Sequence, residues 1–119
     1  MIEEMIMMLT EQLYSGTSSV SYKGIYFPVK EEEYIRPMEF RSVKYIRIEI
    51  PKFISLNTDY LLISYEMLPD SAMTNAKVRE KACFKLATWF VEGVLPKIDF
   101  KLNTIMHNKE VEDILEVLE

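Results

Sequence analysis

The chain has 119 residues, 49% of them hydrophobic and 28% charged, with a formal net charge of −5. That length buries one core and not two, and the apolar content is too high for a disordered acidic tail. No run approaches the roughly 18 apolar residues of a membrane span, acids stand at Glu3 and Glu4 where a secretory leader carries bases, and one cysteine, Cys83, allows no internal disulfide. One His beside one Cys makes no zinc site of known spacing, so neither a metal nor a cofactor is expected. The expectation is a single cytoplasmic domain over residues 1–119.

In chain order, Ile2, Met5, Ile6, Leu9 and Leu13 recur at helical spacing and predict a helix over residues 2–14, closed by Gly16 in a left-handed cap. Residues 20–29 are rich in β-branched and aromatic groups around Lys23-Gly24, which reads as a small hairpin or bulged strand. Pro28 argues against a central strand beyond it, and Glu31-Glu32-Glu33 reads as solvated loop. Residues 43–50 alternate, with Ile46, Ile48 and Ile50 on one face, and predict a strand that Pro51 ends. Residues 59–68 are partly apolar on both faces and predict an interior strand paired antiparallel with it. Pro69-Asp70-Ser71 carries stop and cap signals before the main helix, residues 74–92, whose apolar stripe runs through Cys83, Leu86, Ala87, Phe90 and Val94, with Gly93 and Pro96 marking its end. Ile98, Phe100 and Leu102 then alternate with polar residues as a half-buried strand does, and Asn108 caps a short helix carrying Val111, Ile114, Leu115 and Leu118. The sum is α+β: a helix, an antiparallel sheet of three to four strands, a long helix, a further strand and a short helix, with the helices on one sheet face.

Charge is segregated. Residues 1–40 hold 3 bases and 7 acids, residues 41–70 hold 4 and 4, residues 71–109 hold 7 and 3, and residues 110–119 hold none and 5. Lys77, Lys81 and Lys85 fall at four-residue spacing and form one stripe on the long helix, with Arg79 on another face. This stripe is an ordinary solvated face or a phosphate-tracking patch. A helix, three strands and a helix opening with Ala76-Lys77 and continuing Lys81-Ala82-Cys83 loosely resembles double-stranded-RNA-binding domains, and that resemblance implies phosphate contacts from Lys77, Lys81 and Lys85. Here the lysines are spread along the helix, the first helix is acidic and the net charge repels a polyanion, so nucleic acid is the minor expectation.

Enzymatic chemistry has few candidates. Cys83 sits on an apolar stripe with no visible partner, and His107 stands alone in a connector. Three glycines, at 16, 24 and 93, make no phosphate loop, and consecutive Glu31, Glu32 and Glu33 diverge too far to hold a cation. No catalysis and no small-molecule substrate are expected.

The spare apolar residues point to protein contact instead. Phe53, Ile54 and Leu56 occupy a connection between strands. Tyr34, Ile35, Met38 and Phe40, with Arg36 and Pro37, make a loop with the composition of an interface centre, and Ile114, Leu115 and Leu118 need a surface to dock on. The acidic final helix and the basic stripe attract each other, within one molecule or between two. The reading is a non-enzymatic protein-interaction module: a small adaptor, an inhibitor of a larger machine or an assembly subunit. Its partner is another protein or a second copy of the chain, and its size and acidity are common among phage and mobile-element proteins.

Overall fold

The apolar periodicity at the N-terminus forms α1 (Ile2–Tyr14), in a computed structural model that describes residues 1–36, 41–52, 59–69 and 71–104. Ile6, Leu9 and Leu13 make its buried stripe. Gly16, at φ 85°, donates its amide to the Leu13 carbonyl and Thr17 donates to Gln12, which closes the helix with the paired bonds of a Schellman turn.

Four strands follow in a simple antiparallel meander, β1-β2-β3-β4: β1 (Ser19–Tyr22), β2 (Ile25–Arg36), β3 (Arg41–Glu49) and β4 (Tyr60–Met67). Lys23 and Gly24 both take positive φ, 49° and 79°, the geometry of the primed turn that matches strand twist. The expected loop at Glu31-Glu32-Glu33 is instead the middle of β2, and Tyr34 and Ile35 belong to the same strand rather than to a loop. The reason is cross-strand pairing: Glu33 registers with Lys44, and Glu31 faces an arginine on a helix. Pro28 is tolerated because pairing changes sides there. Residues up to Pro28 pair with β1, while the ladder to β3 begins at Val29 opposite Ile48.

α2 (Ala72–Trp89) starts after Ser71, whose side chain makes no capping bond. Asn75 does the anchoring instead. Its Oδ1 accepts from the Leu68 amide at 2.7 Å and its Nδ2 donates to the Leu68 carbonyl at 2.8 Å, which joins β4 to the helix. At the far end, Gly93 and Pro96 do not terminate the helix. Residues Phe90–Val94 form a π-helical turn, with the Leu95 amide donating to the Phe90 carbonyl, and the α-helix resumes over residues 95–104. Pro96 lacks an amide to donate, and the wide turn rearranges the bonding just where that donor is missing. Ile98 to Leu102 is therefore helix and not the expected strand. Its alternation is two residues of a four-residue repeat, with Phe100 an exposed residue between buried Ile98 and partly buried Leu102. The expected helix beginning at Asn108 lies outside the described residues.

One cluster joins these elements. Leu13, Phe27, Ile46, Ile48, Leu86 and Ile98 are almost completely enclosed, and Phe27 meets Phe90 edge to face at 5.0 Å between ring centres. The strands contribute alternate residues to it: Val20 from β1, Phe27 from β2, Ile46 and Ile48 from β3, Tyr65 from β4. The described helices cover that face of the sheet, and none of them lies on the other.

Candidate protein-docking surfaces

Between the helices and the sheet, polar chemistry serves the fold. Glu31 projects from β2 toward α2, where Arg79 Nε donates to its Oε1 at 3.1 Å and Nη2 to its Oε2 at 3.0 Å. The Tyr65 hydroxyl also donates to Oε1, at 3.1 Å. Arg79 further donates to the Leu13 carbonyl at 3.3 Å and to the Tyr14 carbonyl, supplying the positive charge that α1 lacks in its own last turn. The guanidinium holds the Glu31 carboxyl below its ordinary range, against the opposing effect of burial, while burial foremost and then Glu31 push the Tyr65 phenol up. A second tie runs from Asp99 to the first hairpin. Lys23 Nζ reaches Asp99 Oδ1 at 2.6 Å and the Tyr22 hydroxyl donates to the same carboxylate at 2.8 Å, so Lys23 first and Tyr22 next draw its acidity below the usual carboxylate range.

Cys83 sits behind this network with no exposed surface, and burial pushes its thiol up. That environment favours the neutral thiol and opposes a thiolate nucleophile. His107 lies outside the described residues, and among the described residues no group of three or more His, Cys, Asp or Glu could hold a metal ion.

The sheet face opposite the described helices has a different character. Alternation puts Tyr26 and Tyr34 of β2, Val43, Tyr45 and Arg47 of β3, and Tyr60 and Leu62 of β4 on it. Tyr26 is 70% exposed, Tyr34 and Tyr60 are each 46% exposed, and Leu62 is 41% exposed. Arg47 lies over the Tyr60 ring at 5.3 Å from its centre, and its Nη2 donates to Glu49 at 2.9 Å, the same carboxylate that Lys30 holds at 3.0 Å. The Arg47 Nε is enclosed without a hydrogen-bond partner. Tyr45 donates to Glu32 toward the other end of the face. A shallow depression of about 460 Å³, bordered by Tyr26, Pro28, Arg47, Tyr60 and Pro51, opens at the lower end.

No family model, curated protein or solved structure matches the chain.

A second surface lies between α1 and α2. Met7 and Phe84, 62% and 53% exposed, floor an open groove of about 590 Å³ edged by Lys77, Lys81, Glu11 and Glu80. The lysine stripe stands as the helical spacing predicts: Lys77, Lys81 and Lys85 are exposed, and Arg79 turns away to Glu31. Glu80, Glu11 and the apolar floor interrupt it as a track for phosphates. No helix among the described residues is long and apolar enough to cross a membrane.

Of the residues singled out in the sequence, Tyr34 and Ile35 are brought to the exposed end of β2, on opposite faces. Met38, Phe40, Phe53, Ile54, Leu56, Ile114, Leu115 and Leu118 lie outside the described residues. The sequence reading missed Tyr26, Arg47, Tyr60 and Leu62. The signal was present: Leu62 falls opposite Arg47, and the alternation of β3 and β4 puts Tyr60 on the same face.

Proposed function

We propose that the chain is a non-enzymatic protein-interaction module, an adaptor, inhibitor or assembly subunit, that meets its partner through the sheet face opposite the described helices. One observation carries the reading: Tyr26, Tyr34, Tyr60 and Leu62 stand exposed around a partly enclosed Arg47 on that face. Tyrosine and arginine are the residues that dominate interface centres, because each offers a large rigid area with a polar tip. A face built only to meet water has no need of three half-exposed aromatic rings. Lys30 and Arg47 share the Glu49 carboxylate there, Glu32 accepts from Tyr45 and Glu66 adds a further acid, a mix of charges that suits a protein surface better than a polyanion.

The test is capture of a partner from the native source by the intact protein, compared with Leu62→Glu and Tyr26→Ser. Both positions are exposed, so the fold survives and loss of the partner reports the face. Capture that withstands both changes but fails with Lys81→Glu would move the docking site to the helices. Saturable binding of duplex RNA that falls with salt and with Lys77→Glu would overturn the module reading in favour of nucleic acid.

A further inference from the structure

Independently of the sheet face opposite the helices, we infer that the outer edge of β4 pairs antiparallel with β4 of a second copy of this chain. Within one copy β4 closes the sheet, and β3 is its one neighbour among the described strands. The Ile50 amide donates to the Asp59 carbonyl at 2.8 Å, so the bonding groups of Asp59, and by alternation those of Leu61, Ile63, Tyr65 and Met67, turn toward β3. The N–H and C=O of Leu62 and Ser64 turn the other way, and no described strand meets them. Such an edge of alternating donors and acceptors is matched in register by another extended strand.

The side chains of β4 have the pattern of a strand with two neighbours, apolar in part on both faces. Ile46 and Ile48 of β3 are enclosed, whereas Leu61, Ile63 and Met67 on the same side of β4 are only partly buried, so a strand added at the edge covers them. β4 also lacks what keeps an edge single: it has no proline, no lysine and no break in register, and Glu66 is its one charge. The open edge of β2 beyond Val29 is protected by contrast, with three consecutive glutamates. Self-complementarity selects a second copy over a foreign strand. A two-fold axis at Ile63 pairs the whole of β4 with itself, setting Leu62 against Ser64, Leu61 against Tyr65 and Tyr60 against Glu66. Outward bonding groups then meet outward bonding groups, and the one acid of each strand meets a phenol instead of a second acid. Two sheets become one, with β4 in its interior.

The experiment joins light scattering with residue-resolved hydrogen exchange on the full chain. At about 100 μM we expect twice the 14.0 kDa chain mass and slow exchange at the Leu62 and Ser64 amides, which should exchange freely once dilution gives monomer. Ser64→Pro deletes an N–H that the ladder to β3 does not use, so the four-stranded sheet survives, as circular dichroism checks, and the dimer should weaken at least about ten-fold. A second variant leaves the backbone alone. In a Cys83→Ala background, Ile63→Cys should crosslink two chains on oxidation, because the axis sets these positions side by side, while Leu61→Cys, displaced along the strand, should not. A chain that stays monomeric at that concentration overturns the inference. So does a dimer that Ser64→Pro leaves intact or that Ile63→Cys fails to crosslink. Edge amides protected only after a different protein is added would give the edge to a foreign strand and overturn it equally.

Discussion

Arg79 and Glu31 are 48 residues apart in the chain and meet through two parallel N–H to carboxylate bonds, joining the middle of β2 to α2 while the same guanidinium caps α1. Their side chains are 19% and 29% exposed, sheltered enough for the pair to matter and open enough that water screens part of it. Glu31→Ala should lower the unfolding free energy by about 1 to 2 kcal/mol. Arg79→Ala should cost more, about 2 to 3 kcal/mol, because the α1 carbonyls lose their donor as well. Urea unfolding of both variants checks the order, and a smaller loss for Arg79→Ala would contradict it.

The same pair sets an acid limit. The Glu31 carboxyl is more acidic in the folded chain than in the unfolded one, so its contribution is complete above the unfolded value, about 4.3, and disappears as pH falls through the lower folded value. Glu49, through Lys30, and Asp99, through Lys23, shift in the same direction at more exposed positions. Stability measured from neutral pH down to about pH 3 should therefore fall most steeply below about pH 4.5, and Glu31→Gln should flatten that fall. An unchanged slope in Glu31→Gln would show that other carboxylates carry it.

Phe27 has no exposed surface and meets Phe90 edge to face. Phe27→Ala should destabilise by about 3 to 5 kcal/mol. A double-mutant cycle with Phe90→Leu should leave a coupling of about 0.5 to 1.5 kcal/mol for the ring pair. Additive losses would mean that the two rings fill space without a specific contact.

Cys83 is enclosed and its thiol is held neutral. A thiol reagent at mildly alkaline pH should leave the folded protein unmodified and label it promptly in denaturant, and Cys83→Ala should bind partners as the parent does. Rapid labelling of the folded chain would place the thiol within reach of solvent.

The regular elements with a clean period were legible. Residues 2–14 and the alternation of β3 carry their burial pattern openly, and the positive-φ residues fall at Gly16 and Lys23-Gly24 where turn chemistry puts them. What escaped depended on distant partners. Three consecutive glutamates read as loop until Arg79, Lys44 and Tyr45 are brought opposite them. The long helix hid a stricter signal: Ala82, Leu86, Phe90, Val94, Ile98 and Leu102 repeat every four residues. In a regular α-helix such a repeat drifts about 40° per step and leaves the core. The π turn at Phe90–Val94 reduces that drift, which is how Ile98 and Leu102 return to the same cluster. Of the candidate docking face the sequence named Tyr34 alone, and the register was needed to show that Tyr26, Arg47, Tyr60 and Leu62 share its side.

β2 serves two neighbours in succession, β1 with its first four residues and β3 with the rest. The molecule is thus far less tolerant of a change in residue count than of a change in residue identity at the changeover. One residue gained or lost beside Pro28 would turn the distal strand over, sending Glu31 out to water and driving Lys30 and Glu32 beneath the helices, with the composition almost untouched. A tag or label belongs elsewhere, at Met1, which is 94% exposed and precedes every strand, so no reading frame of alternating faces depends on it.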